Sequence, residues 1–98
     1  MRRIEVAGRA LCLARLDDGT IFAIEDRCSH EAETLSEGVL VGCEVECPWH
    51  LGRFDVRSGA PVAPPPTEPV ATFPVVIDGD NIFVDTGSGD AEVADGRV

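Results

Sequence analysis

The stretch Arg9-Ala10-Leu11-Cys12-Leu13-Ala14-Arg15-Leu16-Asp17-Asp18-Gly19-Thr20-Ile21-Phe22-Ala23-Ile24 reads as two strands joined by a turn. Along Arg9 to Leu16, Ala10, Cys12, Ala14 and Leu16 fall on one side and Leu11 and Leu13 on the other, the period of two that a strand imposes. Asp18-Gly19 supplies the positive φ that a tight hairpin turn needs. Working outward, Ala71 to Ile77 and Asn81 to Asp85 form a second hairpin across Asp78, Gly79 and Asp80, with Val75, Ile77, Ile82 and Val84 expected in the core. No window of a dozen residues sustains a helical period, so the expected fold is all-β and antiparallel.

Residues 28 to 60 hold only short strand-like pieces, Val39 to Val41, Glu44 to Glu46 and Arg53 to Val56, separated by longer loops. Chemistry usually sits in such loops. Five prolines between Pro61 and Pro69 cannot join a central ladder and predict a stiff extended arm. Thr86 to Val98, rich in Gly, Asp and Ser, reads as a flexible acidic tail, which leaves 1–85 as the folded domain.

A chain of 98 residues is one domain, and one this small gains much from a metal or covalent staple. Its eight basic residues, all arginine, against eighteen acids give a net charge of −10, which repels phosphate backbones and makes nucleic acid an unsuitable ligand. The charge is uneven: residues 1–27 are neutral and the deficit lies entirely beyond them. Such a field steers positively charged partners. The apolar run Ala10 to Ala14 is too short for a signal core, and no stretch reaches the length of a membrane span. A cytoplasmic location is therefore expected, where four cysteines suggest metal ligation or buried thiols rather than disulfides.

The candidate ligands form two hooks. Cys28-Ser29-His30 is followed, after sixteen residues, by Cys47-Pro48-Trp49-His50, and the two hooks contain both histidines of the chain. Thiolates and imidazoles together point to zinc, copper or an iron–sulfur group. Zinc fingers usually separate a Cys pair from a His pair, whereas each hook here mixes the two. That mixture suits two metal atoms better than one, although a zinc-stabilised acidic interaction module remains the alternative. Cys12 and Cys43 lie outside the hooks and are expected to be small buried hydrophobes. Trp49 is read as a shield or a partner contact, and Pro48 as fixing the loop's φ.

The two hooks, with Leu35-Ser36, Gly38, Glu46, Gly52, Phe54-Asp55-Val56, Ser58-Gly59 and the proline-rich stretch in the same order, resemble the Rieske [2Fe–2S] family over about residues 3 to 85. The resemblance implies a Rieske-like β-sandwich with a cluster-binding subdomain of two loops and a proline loop over it. It also implies one [2Fe–2S] cluster per chain, with Cys28 and Cys47 on the inner iron and His30 and His50 on the outer. Family members begin about a dozen residues earlier, so a first strand is expected to be missing. The high-potential branch carries a disulfide between the two loops and Ser and Tyr donors to sulfur. Here Glu33 and Trp49 stand at the cysteine positions, Arg53 at the serine position, and the chain has no tyrosine. The resemblance thus points to the soluble ferredoxin branch and to the lower end of the roughly −150 to +300 mV Rieske span.

Such ferredoxins carry single electrons from a flavin-containing ferredoxin reductase to a terminal oxygenase and transform no substrate themselves. On this resemblance both histidines of the chain serve the cluster, so none remains for the mononuclear iron of an oxygenase large subunit. Within electron transfer the alternative is the small subunit of an assimilatory nitrite reductase, a Rieske-like fold that often lacks ligands.

Overall fold

The computed structural model describes residues 1–28, 34–48, 52–64, 66, 68–87, 90–93 and 98. Along the chain the strands are β1 (Arg2–Val6), β2 (Arg9–Arg15), β3 (Ile21–Glu25), β4 (Val39–Val41), β5 (Glu44–Glu46) and β6 (Arg53–Asp55). They continue with β7 (Pro61–Ala63), β8 (Thr72–Phe73), β9 (Val75–Asp78), β10 (Asn81–Asp85) and β11 (Asp90–Val93). A 3-10 turn, Leu35–Glu37, precedes β4. All the pairings are antiparallel, within three sheets of order β1-β2-β3-β8, β4-β5-β6-β7 and β11-β10-β9.

The Arg9 to Ile24 hairpin forms the middle layer. Leu11 pairs with Glu25 and Arg15 with Ile21, and Leu16 accepts from the Gly19 N–H at 2.9 Å while Gly19 takes φ 89°. Both faces of this layer are covered. Leu11, Leu13, Ile21 and Ala23 pack with Ile82, Val84 and Val93 of the third sheet. Cys12, Ala14 and Ile24 face the other way, packing with Val45, Phe54 and Val56 of the second sheet and its flank. Alternating side chains thus feed two separate cores, which is why β2 is apolar on both sides.

Several expectations need correcting. Strands begin earlier than Arg9, because Arg2–Val6 pairs with β2 from Arg2 opposite Leu13 to Val6 opposite Arg9. The segment from Ala71 to Ile77 is not one strand: β8 pairs with β3 and β9 with β10, and Pro74, which has no N–H to donate, separates them. Ile77 is 52% exposed rather than core, since β9 is the outer strand of its sheet, while Ile82 and Val84 are buried as expected. The stretch 86–98 is not wholly a tail, because Asp90–Val93 pairs with β10 and Val93 is buried in the second core. Burial of that valine offsets part of the ordering cost that its polar neighbours cannot.

The prolines behave as expected of an edge. Pro61–Ala63 is the outer strand of its sheet, with a register shift against β6 at Arg53/Phe54. The proline stretch is pinned where it returns, as the Val70 N–H donates to the Gly59 carbonyl at 2.9 Å and Val70 joins the core around Phe54.

Candidate metal centre

The first hook leaves the end of β3, and its two flanks are tied together. Arg27 and Thr34 form an isolated antiparallel bridge, and the Leu35 N–H donates to the Asp26 carbonyl at 2.9 Å. The Asp26 side chain adds two further ties, accepting from the Ser36 N–H at 2.6 Å and from the Ser36 hydroxyl at 2.9 Å. Arg3 Nε lies 3.3 Å from the same carboxylate, and the Asp26 N–H donates to the Ala10 carbonyl at 3.0 Å. A buried carboxylate needs such partners to offset its lost hydration. The two described flanks, Asp26–Arg27 and Thr34–Ser36, are thereby held side by side.

The second hook connects β5 to β6. Cys47 donates its N–H to the Gly52 carbonyl at 2.7 Å, closing the loop at its base. Just below, Glu46 and Arg53 face each other across the ladder, with Arg53 Nε 3.0 Å and a terminal nitrogen 2.9 Å from the same Glu46 oxygen. Charge-assisted bonds of this kind hold the strand ends in register. The two hooks meet through Gly38. Any Cβ there would collide with the Glu46 carbonyl oxygen, so the backbone following the first hook can approach the residue before Cys47 only because position 38 lacks a side chain.

This approach brings the two predicted sulfur donors into one environment. Cys28 and Cys47 are both buried, and both belong to the apolar cluster of Leu35, Val45, Phe54, Val56 and Val70. Among the described residues no cysteine is in a disulfide, and no three His, Cys, Asp or Glu side chains form a complete metal site. His30, His50 and Trp49 lie outside the described residues.

Cys12, fully buried in mid-strand, belongs to the same cluster, as its expected role requires. Burial pushes its thiol up to about 12, and the Asp26 charge adds to the effect. The thiol therefore stays protonated at neutral pH and packs as a small apolar group. Cys43 departs from expectation, being only partly buried in the turn between β4 and β5, where its carbonyl accepts from the Val56 N–H at 2.9 Å. The residue that sequence reading missed is Asp26. Its partners Ser36 and Arg3 are ten and twenty-three positions away, and no local pattern links them.

A family model described as the Rieske [2Fe–2S] domain matches residues 1–74. The ferredoxin component of the p-cumate 2,3-dioxygenase system of Pseudomonas putida is 47% identical over 83 residues, which is 84% of this chain and 70% of that protein. The solved ferredoxin of carbazole 1,9a-dioxygenase from Nocardioides aromaticivorans IC177 superposes with a TM-score of 0.81 at 42% identity, covering 85% of this chain and 81% of that one. A structure described as a complex of reduced oxygenase and oxidised ferredoxin in carbazole 1,9a-dioxygenase contains a chain that matches with a TM-score of 0.81 at 38% identity, covering 86% of each. Cys28 and Cys47 have the chemistry an iron–sulfur group needs: two sulfurs among apolar side chains, each beside a backbone tie.

Proposed function

Because the chain belongs to the Rieske [2Fe–2S] domain family and carries one [2Fe–2S] cluster, we propose that it is a one-electron carrier that takes electrons from a flavin-containing reductase and delivers them to a terminal oxygenase. The observation that carries this reading is the burial of Cys28 and Cys47 in one apolar cluster, each heading a tied hook. Cys28 and Cys47 would hold the inner iron, and His30 and His50 the outer one. When bound, the group supplies a site that accepts and returns a single electron.

What the chain contributes is order and polarity. Leu35, Val45, Phe54 and Val56 keep water from the sulfur side, so little solvent has to reorient when the charge changes. The tied loop bases would hold Cys28 and Cys47 in place as the charge of the centre changes. Two neutral imidazoles in place of two thiolates leave the oxidised centre about two charges less negative than an all-cysteine one, which favours electron uptake. Histidines on the outward side would then form the exit toward a partner.

The relatives named as ferredoxins of dioxygenase systems support the oxygenase as acceptor, and they favour this reading over a nitrite reductase subunit. On this reading the protein transforms no substrate alone. It works in the cytoplasm, whose reducing medium leaves thiolates available to iron. Among the described residues no helix is long and apolar enough to cross a membrane.

Aerobically purified protein should be red-brown, with about two iron and two acid-labile sulfide per chain. On reduction it should give an EPR signal whose average g lies below that of all-cysteine clusters. A colourless chain holding one zinc ion would overturn the reading in favour of an interaction module.

A further inference from the structure

We infer that Asp26 is a positioning residue for the electron-transfer centre: a buried anion that sets the span of the first hook and holds the centre's reduction potential down. The inference rests on the reading of Cys28 as a ligand. Asp26 is 3% exposed and touches three separate parts of the fold. Its main chain bonds Ala10 on β2 and Leu35 on the 3-10 turn, and its carboxylate bonds Ser36 twice and pairs with Arg3 on β1. No other described acidic residue is buried.

Two features suggest that the charge matters as well as the shape. A neutral amide at this position could still accept from the Ser36 N–H, so capping the 3-10 turn does not by itself require a carboxylate. The compensating cation is also unevenly placed. The Arg3 side chain is 51% exposed and the Asp26 side chain 1%, so solvent screens the cation while the anion remains in a low-dielectric interior. Asp26 lies two residues before Cys28, so their α-carbons are at most about 7 Å apart. An electron arriving beside Cys28 would meet the field of this fixed negative charge. Uptake should be disfavoured by Asp26 and favoured by Arg3.

The test uses the full chain with its cluster bound, in the variants Asp26→Asn and Arg3→Gln, and reads the iron and sulfide content and then the midpoint potential. Asp26→Asn should raise the potential by an amount on the order of a tenfold change in the reduction equilibrium, which is 59 mV for one electron. Arg3→Gln should move it in the opposite direction and by less, because the arginine is half exposed. A purely structural role would change cluster content or lifetime in both variants without shifts of opposite sign. Fully loaded variants that keep the wild-type potential, or that shift in the same direction, overturn the inference. Should Asp26→Asn fail to load, Arg3→Gln decides alone: a lower potential supports the inference and an unchanged one overturns it. A Cys28→Ser chain that retains its full cluster would show instead that the ligand reading has failed, and the inference with it.

Discussion

Asp55, at the end of β6, accepts from the Arg57 N–H at 2.9 Å and from two nitrogens of its guanidinium at 3.1 and 2.8 Å. The Arg57 side chain, and next to it the backbone donor, hold the carboxyl below the ordinary carboxylate range against a partial desolvation penalty. A depressed carboxylate stabilises the fold above its unfolded pKa of about 3.9, and that contribution is lost as pH falls through the folded value. The Tm difference between wild type and Asp55→Asn should therefore shrink as the solution is acidified below about pH 4. A constant difference across that range would contradict the assignment. At this scale the two Cys/His hooks were legible as candidates, because they announce themselves by residue type and spacing. Asp26 was not, because an acid two residues upstream of a hook looks like any other until Ser36 and Arg3 are brought to it.

Among the elements, β4 and β5 are held close by an absence. Gly38 has an ordinary negative φ, so its value lies in space rather than in conformation, and Gly38→Ala would press a methyl group against the Glu46 carbonyl. The variant should lose about 1 to 3 kcal/mol through forced separation of the strands. It should also retain less iron per chain, since Glu46 directly precedes Cys47. Wild-type iron content and Tm would show that the strands part without cost. β11 offers a second check. Trimming its buried Val93 to Ala should cost roughly 1 to 2 kcal/mol and lower Tm by several degrees, whereas a side chain on an unordered tail would cost nothing. The central hairpin and β4 to β6 were readable because alternation and turn chemistry are local. β1 was not, since its turn to β2 places Ala7 at φ 51°, a conformation that alanine seldom takes and that no turn signature announces. β11 escaped because its sequence, Asp90-Ala91-Glu92-Val93, carries a single large apolar residue and no alternation long enough to read.

For the whole molecule, the net charge of −10 predicts that association with a positively charged redox partner is steered over long distances. Raising ionic strength from about 0.01 to 0.15 M shortens the Debye length from roughly 30 to 8 Å. Stopped-flow electron transfer to the proposed oxygenase acceptor should slow by a factor of about ten or more over that range. A rate indifferent to salt would leave the acids with a solubility role only. Sequence by itself determined the all-β class and the two Cys/His hooks as candidate ligands, because side-chain period, turn preference and residue type are properties of neighbouring residues. Only the tertiary structure decided that β2 feeds two cores, that Gly38 lets one hook's flank reach the other, and that a buried aspartate ties the first loop. Those outcomes depend on which distant segments share space, and nothing in a linear pattern records the distance between residues that folding brings together.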